Sequence, residues 1–83
     1  MWKDYYLKFN SYEDYYETMP PDLQLEASHT HATDILGTLY HQETFEPLQG
    51  FHVNLRLRED IPLPPGLESV SLAKPAFPKR VFA

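Results

Sequence analysis

The clearest pattern in the chain is a strict alternation of apolar and polar side chains after position 50. The apolar positions are Phe51, Val53, Leu55 and Leu57, and the polar positions are His52, Asn54, Arg56 and Arg58. Successive side chains of a strand point to opposite faces, so this period of two predicts a strand with one core face and one wet face. A weaker alternation, DILGTLYHQ, occupies residues 34–42, and the segment between the two, ETFEPLQG, is typical of a turn. We therefore expect residues 34–58 to form a β-hairpin.

Residues 2–10 show the same period with aromatic, strand-favouring side chains. Tyr5, Leu7 and Phe9 share one face, while Trp2 and Tyr6 share the other. This pattern predicts a first strand that packs its Tyr5, Leu7 and Phe9 face into the core.

A short helix is predicted directly after this strand. Ser11 is followed three positions later by Asp14, and a serine N-cap with an acid in the first turn suits the positive end of a helix. Its apolar stripe recurs at helical spacing and is expected to be core: Tyr12, Tyr15, Tyr16 and Met19. Pro20 and Pro21 should end the helix, since proline cannot continue the backbone ladder.

The next residues have no single pattern. In residues 22–33, Leu23, Leu25 and Ala27 alternate, but the polar run SHTHAT favours a short extended piece leading into a loop. Gly37 interrupts the strand that follows, and a glycine inside a strand often marks a bulge or a close approach by another group. We expect an aromatic ring across the sheet to fill the space beside it.

The last third of the chain is rich in proline. Residues 59–68 contain Pro62, Pro64 and Pro65, which excludes a central strand or a helix and favours an extended, polyproline-like arm. Val70 and Leu72 fit a short edge strand, and residues 80–83 a last one. The expected organisation is one domain over residues 1–83, with a β-α-β-β core in residues 1–58 and a proline-rich arm in residues 59–83.

Length and composition favour a small α+β fold that depends on a partner. The predicted fold is a mainly antiparallel sheet of three to five strands with one helix packed on a face and a proline-rich C-terminal tail. The chain has 83 residues and no cysteine, and a domain of this size buries only about 60 % of its unfolded surface. Without disulfides, it needs a partner surface, further copies or a metal for added stability.

Charge and hydropathy argue against two classes of partner. Residues 1–42 carry seven acidic and two basic side chains, against five of each in residues 43–83. An acidic half repels phosphates, so nucleic acid is not an expected partner. No apolar run reaches the roughly 20 residues that a membrane helix needs, and no signal-peptide pattern opens the chain. We expect a protein made in the cytoplasm of the cell that expresses it.

The histidines raise the question of a metal site. His29, His31 and Asp34 form HxHxxD, with His41 and His52 as further ligands, and these side chains are compatible with a divalent metal. The spacing matches no established metal motif, so surface loop histidines are the preferred interpretation and no cofactor is predicted. Because imidazole titrates near neutral pH, sensing of mild acidification stays an alternative for His29 and His31.

Catalytic chemistry has no support in the sequence. A serine nucleophile such as Ser28 or Ser69 needs a positioned base and an oxyanion site, and neither is indicated. The three glycines are scattered singly, so no phosphate-binding loop is predicted. We expect no enzymatic activity and no small-molecule substrate.

The predicted wet face of the best strand is a row of hydrogen-bond donors. We predict that this row, together with the nearby prolines, binds a partner protein, since an open sheet face beside an extended arm suits docking. The predicted partner-binding residues are His52, Asn54, Arg56, Arg58, Pro62, Pro64 and Pro65.

Three segments resemble a group of small proteins encoded in tailed-bacteriophage genomes, often beside genes for tail-tip, fibre or receptor-binding components. They are HATDILGTLY at residues 31–40, GFHVNLRL at residues 50–57 and PAFPKRVFA at residues 75–83. The resemblance implies a phage origin and a place in the virion tail. It brings no catalytic residues to this chain.

The residues and the resemblance together give two classes of function. The first is a structural interaction protein of the tail tip, baseplate or fibre attachment, whose expected partners are larger tail proteins and further copies of itself. The alternative is a phage protein outside the virion, either an acidic inhibitor of a host nucleic-acid-handling or defence complex, or a chaperone for tail-fibre assembly.

Overall fold

Four antiparallel strands form one sheet, and short helices pack against one of its faces. The computed structural model describes residues 1–41 and 43–72. Its strands are β1 (Trp2–Phe9), β2 (His31–Gly37), β3 (Phe51–Arg58) and β4 (Ser71–Leu72), in the order β2-β3-β1-β4. The helices are α1 (Tyr12–Thr18), α2 (Pro21–Gln24) and a 3₁₀ helix (Pro65–Val70). The predicted α+β fold with a small antiparallel sheet is confirmed.

The core lies between the central strands and the helices. Leu7 of β1 lies opposite Val53 of β3, and Tyr5 lies opposite Leu55, so their side chains share one face of the sheet. The predicted dry face of the first strand and β3 is confirmed. The fully enclosed cluster contains Leu7, Phe9, Tyr15, Met19, Val53, Leu55, Leu57 and Leu67.

Local hydrogen bonds define both ends of α1. The Ser11 hydroxyl accepts a hydrogen bond from the Asp14 amide at 3.1 Å, as the N-cap pattern predicts. At the other end, the Gln24 amide donates to the carbonyls of Tyr16 and Met19 at 3.1 and 2.8 Å, which satisfies two otherwise unpaired helix acceptors. With seven residues, α1 is too short to be stable alone. Within residues 1–41 and 43–72, no helix has the length and apolar character to span a membrane.

The strand β2 begins earlier and ends earlier than the alternation predicts. It starts at His31 rather than at position 34 and stops at Gly37, where the register against β3 shifts. Gly37 has φ +71°, and a Cβ there would lie 3.9 Å from the ring of Phe51. The predicted bulge and the aromatic ring beside it are therefore confirmed, and the left-handed backbone favours glycine at this position.

The segment before β2 is partly helical, where a short extended piece was expected. Pro21 opens α2, because proline suits the first turn of a helix even where it ends the preceding one. The chain then returns along the outer edge of β2, where the Thr33 amide donates to the Glu26 carbonyl at 2.8 Å. The Thr33 hydroxyl donates to the Leu23 carbonyl at 2.7 Å.

The segment after β3 belongs to the core, which corrects the prediction of an extended arm beginning at residue 59. Pro65–Val70 is a 3₁₀ helix, so the prediction that the prolines exclude a helix is wrong here. Pro65 occupies its first turn, where no amide donor is required. Leu67 is fully buried, and Ile61, Leu63 and Val70 pack against the same cluster. The predicted short edge strand is present as β4, paired with β1. The predicted strand at residues 80–83 lies outside the described residues.

Leu67→Ala should therefore destabilise the whole domain. Removing a fully buried leucine side chain costs about 2–5 kcal/mol of unfolding free energy. Urea denaturation followed by circular dichroism measures this loss. Leu25→Ala, which truncates an exposed leucine, is the matched control and should change the unfolding free energy by less than about 0.5 kcal/mol. Equal effects of the two variants would contradict the assignment of Leu67 to the core.

Candidate interaction surfaces

The helix α1 divides its aromatic stripe between the core and solvent. Tyr15 is buried, as is Met19 at the C-cap, whereas Tyr12 and Tyr16 are 53 % and 60 % exposed. The prediction that the whole tyrosine stripe is core is therefore wrong for Tyr12 and Tyr16. A helix of seven residues presents only a narrow strip of its surface to the sheet. Tyr15 lies within this strip, whereas Tyr12, one turn earlier, and Tyr16, the next residue, lie at its edges.

The exposed tyrosines are continuous with the core through ring contacts. The ring of Tyr12 meets that of Phe51 edge-on with centroids 5.6 Å apart, and Phe51 lies 5.3 Å from Tyr15. Tyr12 and Tyr16 are 6.2 Å apart. We call Tyr12 and Tyr16 the aromatic face. The buried ring of Tyr15 and the partly buried ring of Phe51 support its geometry. Burial, with a smaller contribution from Tyr12, raises the pKa of Tyr15.

Two of the predicted partner-binding residues of β3 are buried. His52 and Asn54 are only 4 % and 3 % exposed, so the expectation that the polar face of this strand is open to solvent is wrong for them. The reason is topological, because β3 is an inner strand. Asn54 lies between Tyr6 of β1 and Asp34 of β2. Every buried side-chain nitrogen and oxygen in the described part of the chain has a hydrogen-bond partner.

The two arginines of this row are bound to carboxylates of the same chain. Arg56 donates to both oxygens of Asp4 at 2.7 and 3.1 Å, across the β1–β3 register that places them opposite each other. Arg58 donates to both oxygens of Asp60 at 2.5 and 2.9 Å. The hydrogen bond from Arg58 lowers the pKa of Asp60. Binding an external carboxylate with these arginines would require breaking bidentate pairs that already exist.

The predicted prolines border an apolar cleft. Pro62 and Pro64 line a cleft of about 470 Å³ between residues 20–31 and 57–64, and we call it the proline cleft. Pro65 begins the 3₁₀ helix instead. Further apolar lining of the proline cleft comes from Leu23, Leu25, Leu57 and Ile61. Its volume is in the range of protein ligand sites.

His31 shapes one wall of this cleft and is unavailable to a metal. Its Nε2 donates to the Leu25 carbonyl at 2.9 Å, and its Nδ1 pairs with the Ser28 hydroxyl at 2.7 Å. Both ring nitrogens are therefore in use inside the protein. Among residues 1–41 and 43–72, no cluster of three potential metal ligands occurs. The predicted companions of His31 are dispersed, since His29 is exposed and His52 is buried in β3.

The connection between β2 and β3 is an ordered secondary hairpin. The Leu48 amide donates to the Leu39 carbonyl at 2.7 Å, and the His41 amide donates to the Glu46 carbonyl at 2.8 Å. Leu39 is buried and fixes the base of this hairpin. We call residues 39–41 and 43–48 the distal hairpin. It combines the end of the strand predicted over residues 34–42 with most of the turn predicted over residues 43–50.

The tip of the distal hairpin holds Phe45 in solvent. Phe45 is 76 % exposed and has φ +61°, a left-handed backbone that is unfavourable for a bulky side chain. His41 holds the tip, because its Nδ1 accepts hydrogen bonds from the amides of Glu43 and Thr44 at 3.2 and 3.4 Å. Sequence reasoning missed this residue. The sequence feature that could have indicated its exposure is a phenylalanine flanked by Glu43 and Glu46 in a predicted turn, where an apolar side chain has no evident core to join.

His52 should make the stability of the domain depend on pH. Burial lowers its pKa below the ordinary value of 6.5, and Lys8 acts in the same direction, against the opposing effect of the hydrogen bond to the Gln49 carbonyl. The unfolded chain then binds a proton at a higher pH than the folded chain, so stability is retained above about pH 6.5 and declines as pH falls below it.

Denaturation at neutral pH and at about pH 5 measures this effect. His52→Gln should reduce the difference in unfolding free energy between the two conditions, whereas His29→Gln, at an exposed position, should retain the wild-type difference. A pH dependence unchanged by His52→Gln and removed by His29→Gln would contradict this assignment.

Comparisons with protein-family models, with curated proteins and with solved structures give no match to this chain. The function is therefore argued from the residues, from the geometry and from the resemblance carried by the three sequence segments.

Proposed function

We propose that this protein is a structural interaction protein of a bacteriophage tail, a minor component of the tail tip, baseplate or fibre attachment that docks on larger tail proteins. The observation that carries the docking role is the aromatic face of α1. The phage setting comes from the resemblance of residues 31–40, 50–57 and 75–83.

The aromatic face has the properties of an interface centre. Tyrosine is enriched among the residues that contribute most to protein binding. Tyr12 is already positioned by Phe51 and Tyr15, so less side-chain freedom is lost when a partner covers it. Glu13 and Glu17 lie exposed beside the rings, and such rim charges select a partner by electrostatic complementarity.

The small core supports dependence on a partner. Among the described residues, the enclosed cluster contains eight side chains, and no disulfide reinforces the chain. A domain of this size is marginally stable by itself. Covering Tyr12 and Tyr16 would bury further apolar surface and stabilise the folded state by mass action.

The direct test is quantitative mass spectrometry of purified virions. The tail function predicts a constant number of copies of this chain in each tail. A chain that associates with fibre protein during growth and is missing from finished particles would replace this function with the chaperone alternative. A chain absent both from particles and from fibre complexes would overturn the docking role in the tail.

Tyr12→Ser combined with Tyr16→Ser should reduce incorporation of the chain into tails. Both side chains are largely exposed, so the folded state should survive, as thermal unfolding can verify. Trp2→Ser is the matched control, because it removes a half-exposed aromatic ring outside the aromatic face. Complementation of a deletion phage, followed by mass spectrometry, measures the result. Normal incorporation of the double variant would exclude the aromatic face as the docking surface.

We infer that the charge distribution favours one second candidate, an acidic inhibitor of a host nucleic-acid-handling or defence complex. The chain has a net charge of -5, and residues 1–42 carry seven acidic against two basic side chains. Two of the basic residues in the second half, Arg56 and Arg58, are paired with Asp4 and Asp60. The resulting negative surface suits a basic partner that normally binds phosphates.

Affinity capture from infected host lysate at moderate salt tests this candidate. The inhibitor function predicts recovery of a basic host protein, and Glu13→Gln with Glu17→Gln should weaken the capture because charge complementarity is reduced. Thr18→Ala, an uncharged change at the end of the same helix, is the control. Recovery of tail proteins alone would count against the inhibitor function.

A further inference from the structure

We propose that the proline cleft is a site of acyl transfer, at which Ser28 attacks small neutral esters and His31 accepts its proton. This activity is separate from the docking role in the tail. The sequence indicates no base near Ser28, whereas the fold places one beside it. The assignment depends on the contacts of Ser28 and on the cleft that it lines.

Ser28 and His31 form a hydrogen-bonded pair of nucleophile and base. The Ser28 Oγ lies 2.7 Å from the His31 Nδ1, and the His31 Nε2 lies 2.9 Å from the Leu25 carbonyl oxygen. A carbonyl oxygen only accepts, so Nε2 carries the hydrogen of the neutral ring and Nδ1 presents its lone pair to the Ser28 hydroxyl. A hydroxyl beside a base that a third group orients is the arrangement of an activated serine nucleophile.

The two side chains differ in exposure as this chemistry requires. His31 is 3 % exposed, so bulk water does not compete for its Nδ1. Ser28 is exposed and lines the cleft. An ester bound in the cleft therefore meets the hydroxyl, and the enclosed ring receives the proton. The low local dielectric around the ring strengthens its hydrogen bonds.

Backbone hydrogen bonds hold this segment in place. The Ser28 amide donates to the His31 carbonyl at 2.9 Å, and the Arg58 amide donates to the Thr30 carbonyl at 2.9 Å. The first bond closes the turn that places Ser28 beside the ring, and the second joins that turn to the end of β3. Groups held in this way need little rearrangement before they react.

Thr30 provides two hydrogen-bond donors beside the reacting oxygen. Its amide and its hydroxyl both lie 3.2 Å from the Ser28 Oγ. Because the Ser28 hydroxyl donates to His31 Nδ1, the Thr30 hydroxyl is the donor in the contact between the two oxygens. The carbonyl oxygen of an attacked ester becomes negative next to the Ser28 Oγ, where these donors stabilise the charge.

The cleft determines which esters fit. Its volume of about 470 Å³ and its leucine, isoleucine and proline lining suit a short aliphatic acyl group. Among the described residues, Asp22 is the only acidic side chain of the lining, and its carboxylate repels an anionic substrate. We therefore expect neutral esters to react faster than anionic ones.

The reaction transfers the acyl group to Ser28 and then to water. The Ser28 Oγ bonds to the ester carbonyl carbon while its proton passes to His31 Nδ1. The bond from that carbon to the alcohol oxygen then breaks, and the leaving alcohol takes the proton from Nδ1. Water attacks the acylated serine and gives a proton to Nδ1, and the Ser28 Oγ leaves with that proton. The products are an alcohol and a carboxylic acid.

Hydrolysis of p-nitrophenyl butyrate by the purified full chain tests this activity. Ser28→Ala should lower kcat/KM by about a hundredfold, and thermal unfolding verifies that this change at an exposed position preserves the fold. Ser69→Ala, at another exposed serine, is the matched control. His31→Gln should cause a similar loss, and His29→Gln, at an exposed histidine, controls for hydrolysis by surface imidazole.

Two further measurements identify the nucleophile and the substrate class. Mass spectrometry after treatment with a fluorophosphonate should find one probe group on Ser28, and none on Ser28→Ala. With the anionic ester mono-p-nitrophenyl succinate, Asp22→Asn should raise kcat/KM relative to that for p-nitrophenyl butyrate, because a repulsive charge is removed.

Equal rates for the wild type and Ser28→Ala, or a probe group on any residue other than Ser28, would overturn the acyl-transfer site. A loss of hydrolysis in His29→Gln with a wild-type rate in His31→Gln would also overturn it. Should His31→Gln fail to fold, Ser28→Ala and the position of the probe group decide the result. An unchanged ratio of the two esters in Asp22→Asn would overturn the substrate class. None of these outcomes depends on the presence of the chain in virions.

Discussion

The pairing of β1 with β3 is the interaction on which the rest of the structure depends. It joins residues that are fifty positions apart, such as Tyr5 and Leu55, and it creates the apolar face on which α1 and the 3₁₀ helix pack. Neither helix is long enough to persist alone. Because no disulfide supports the chain, the apolar surface buried by the whole cluster around Leu7, Val53 and Leu55 is a main contribution that offsets the entropy lost in folding.

The small size of this core explains why so many aromatic rings remain accessible. A short helix covers only part of the sheet, so Tyr15 is enclosed while Tyr12 and Tyr16 lie at its margin. The edge-on contact between Tyr12 and Phe51 links this margin to the core. The same packing that stabilises the fold therefore also orders the surface to which we assign docking.

Several polar residues that the sequence predicts to face solvent are instead buried or bound to other groups of the same chain. His31 closes one side of the proline cleft through its two ring nitrogens, and His52 is enclosed on an inner strand. Arg56 is held by Asp4. These groups make contacts within the fold, and the candidate interaction surfaces among the described residues include the aromatic face, the proline cleft and the distal hairpin.

The sequence by itself determined the elements whose cause is local. Period-two alternation located β1 and β3, Ser11 located the start of α1, and Gly37 located the bulge, because strand patterning, capping and left-handed backbone depend on a few neighbouring residues. The alternation of β3 also identified its core face correctly, with Val53, Leu55 and Leu57 buried.

Only the tertiary structure decided which distant segments of the chain contact each other and which side chains they cover. An inner position was predicted for both strands of the hairpin, and it is confirmed for β3 but wrong for β2, which is an edge strand. Sequence could not show that the polar face of β3 is covered at His52 and Asn54, or that residues 61–70 return to the core through Leu67. The exposure of Phe45 and the formation of the proline cleft likewise depend on contacts between segments distant in the chain. Alternation assigns a side chain to one face of a strand, but whether that face is covered depends on the strand order and on the segments packed over it.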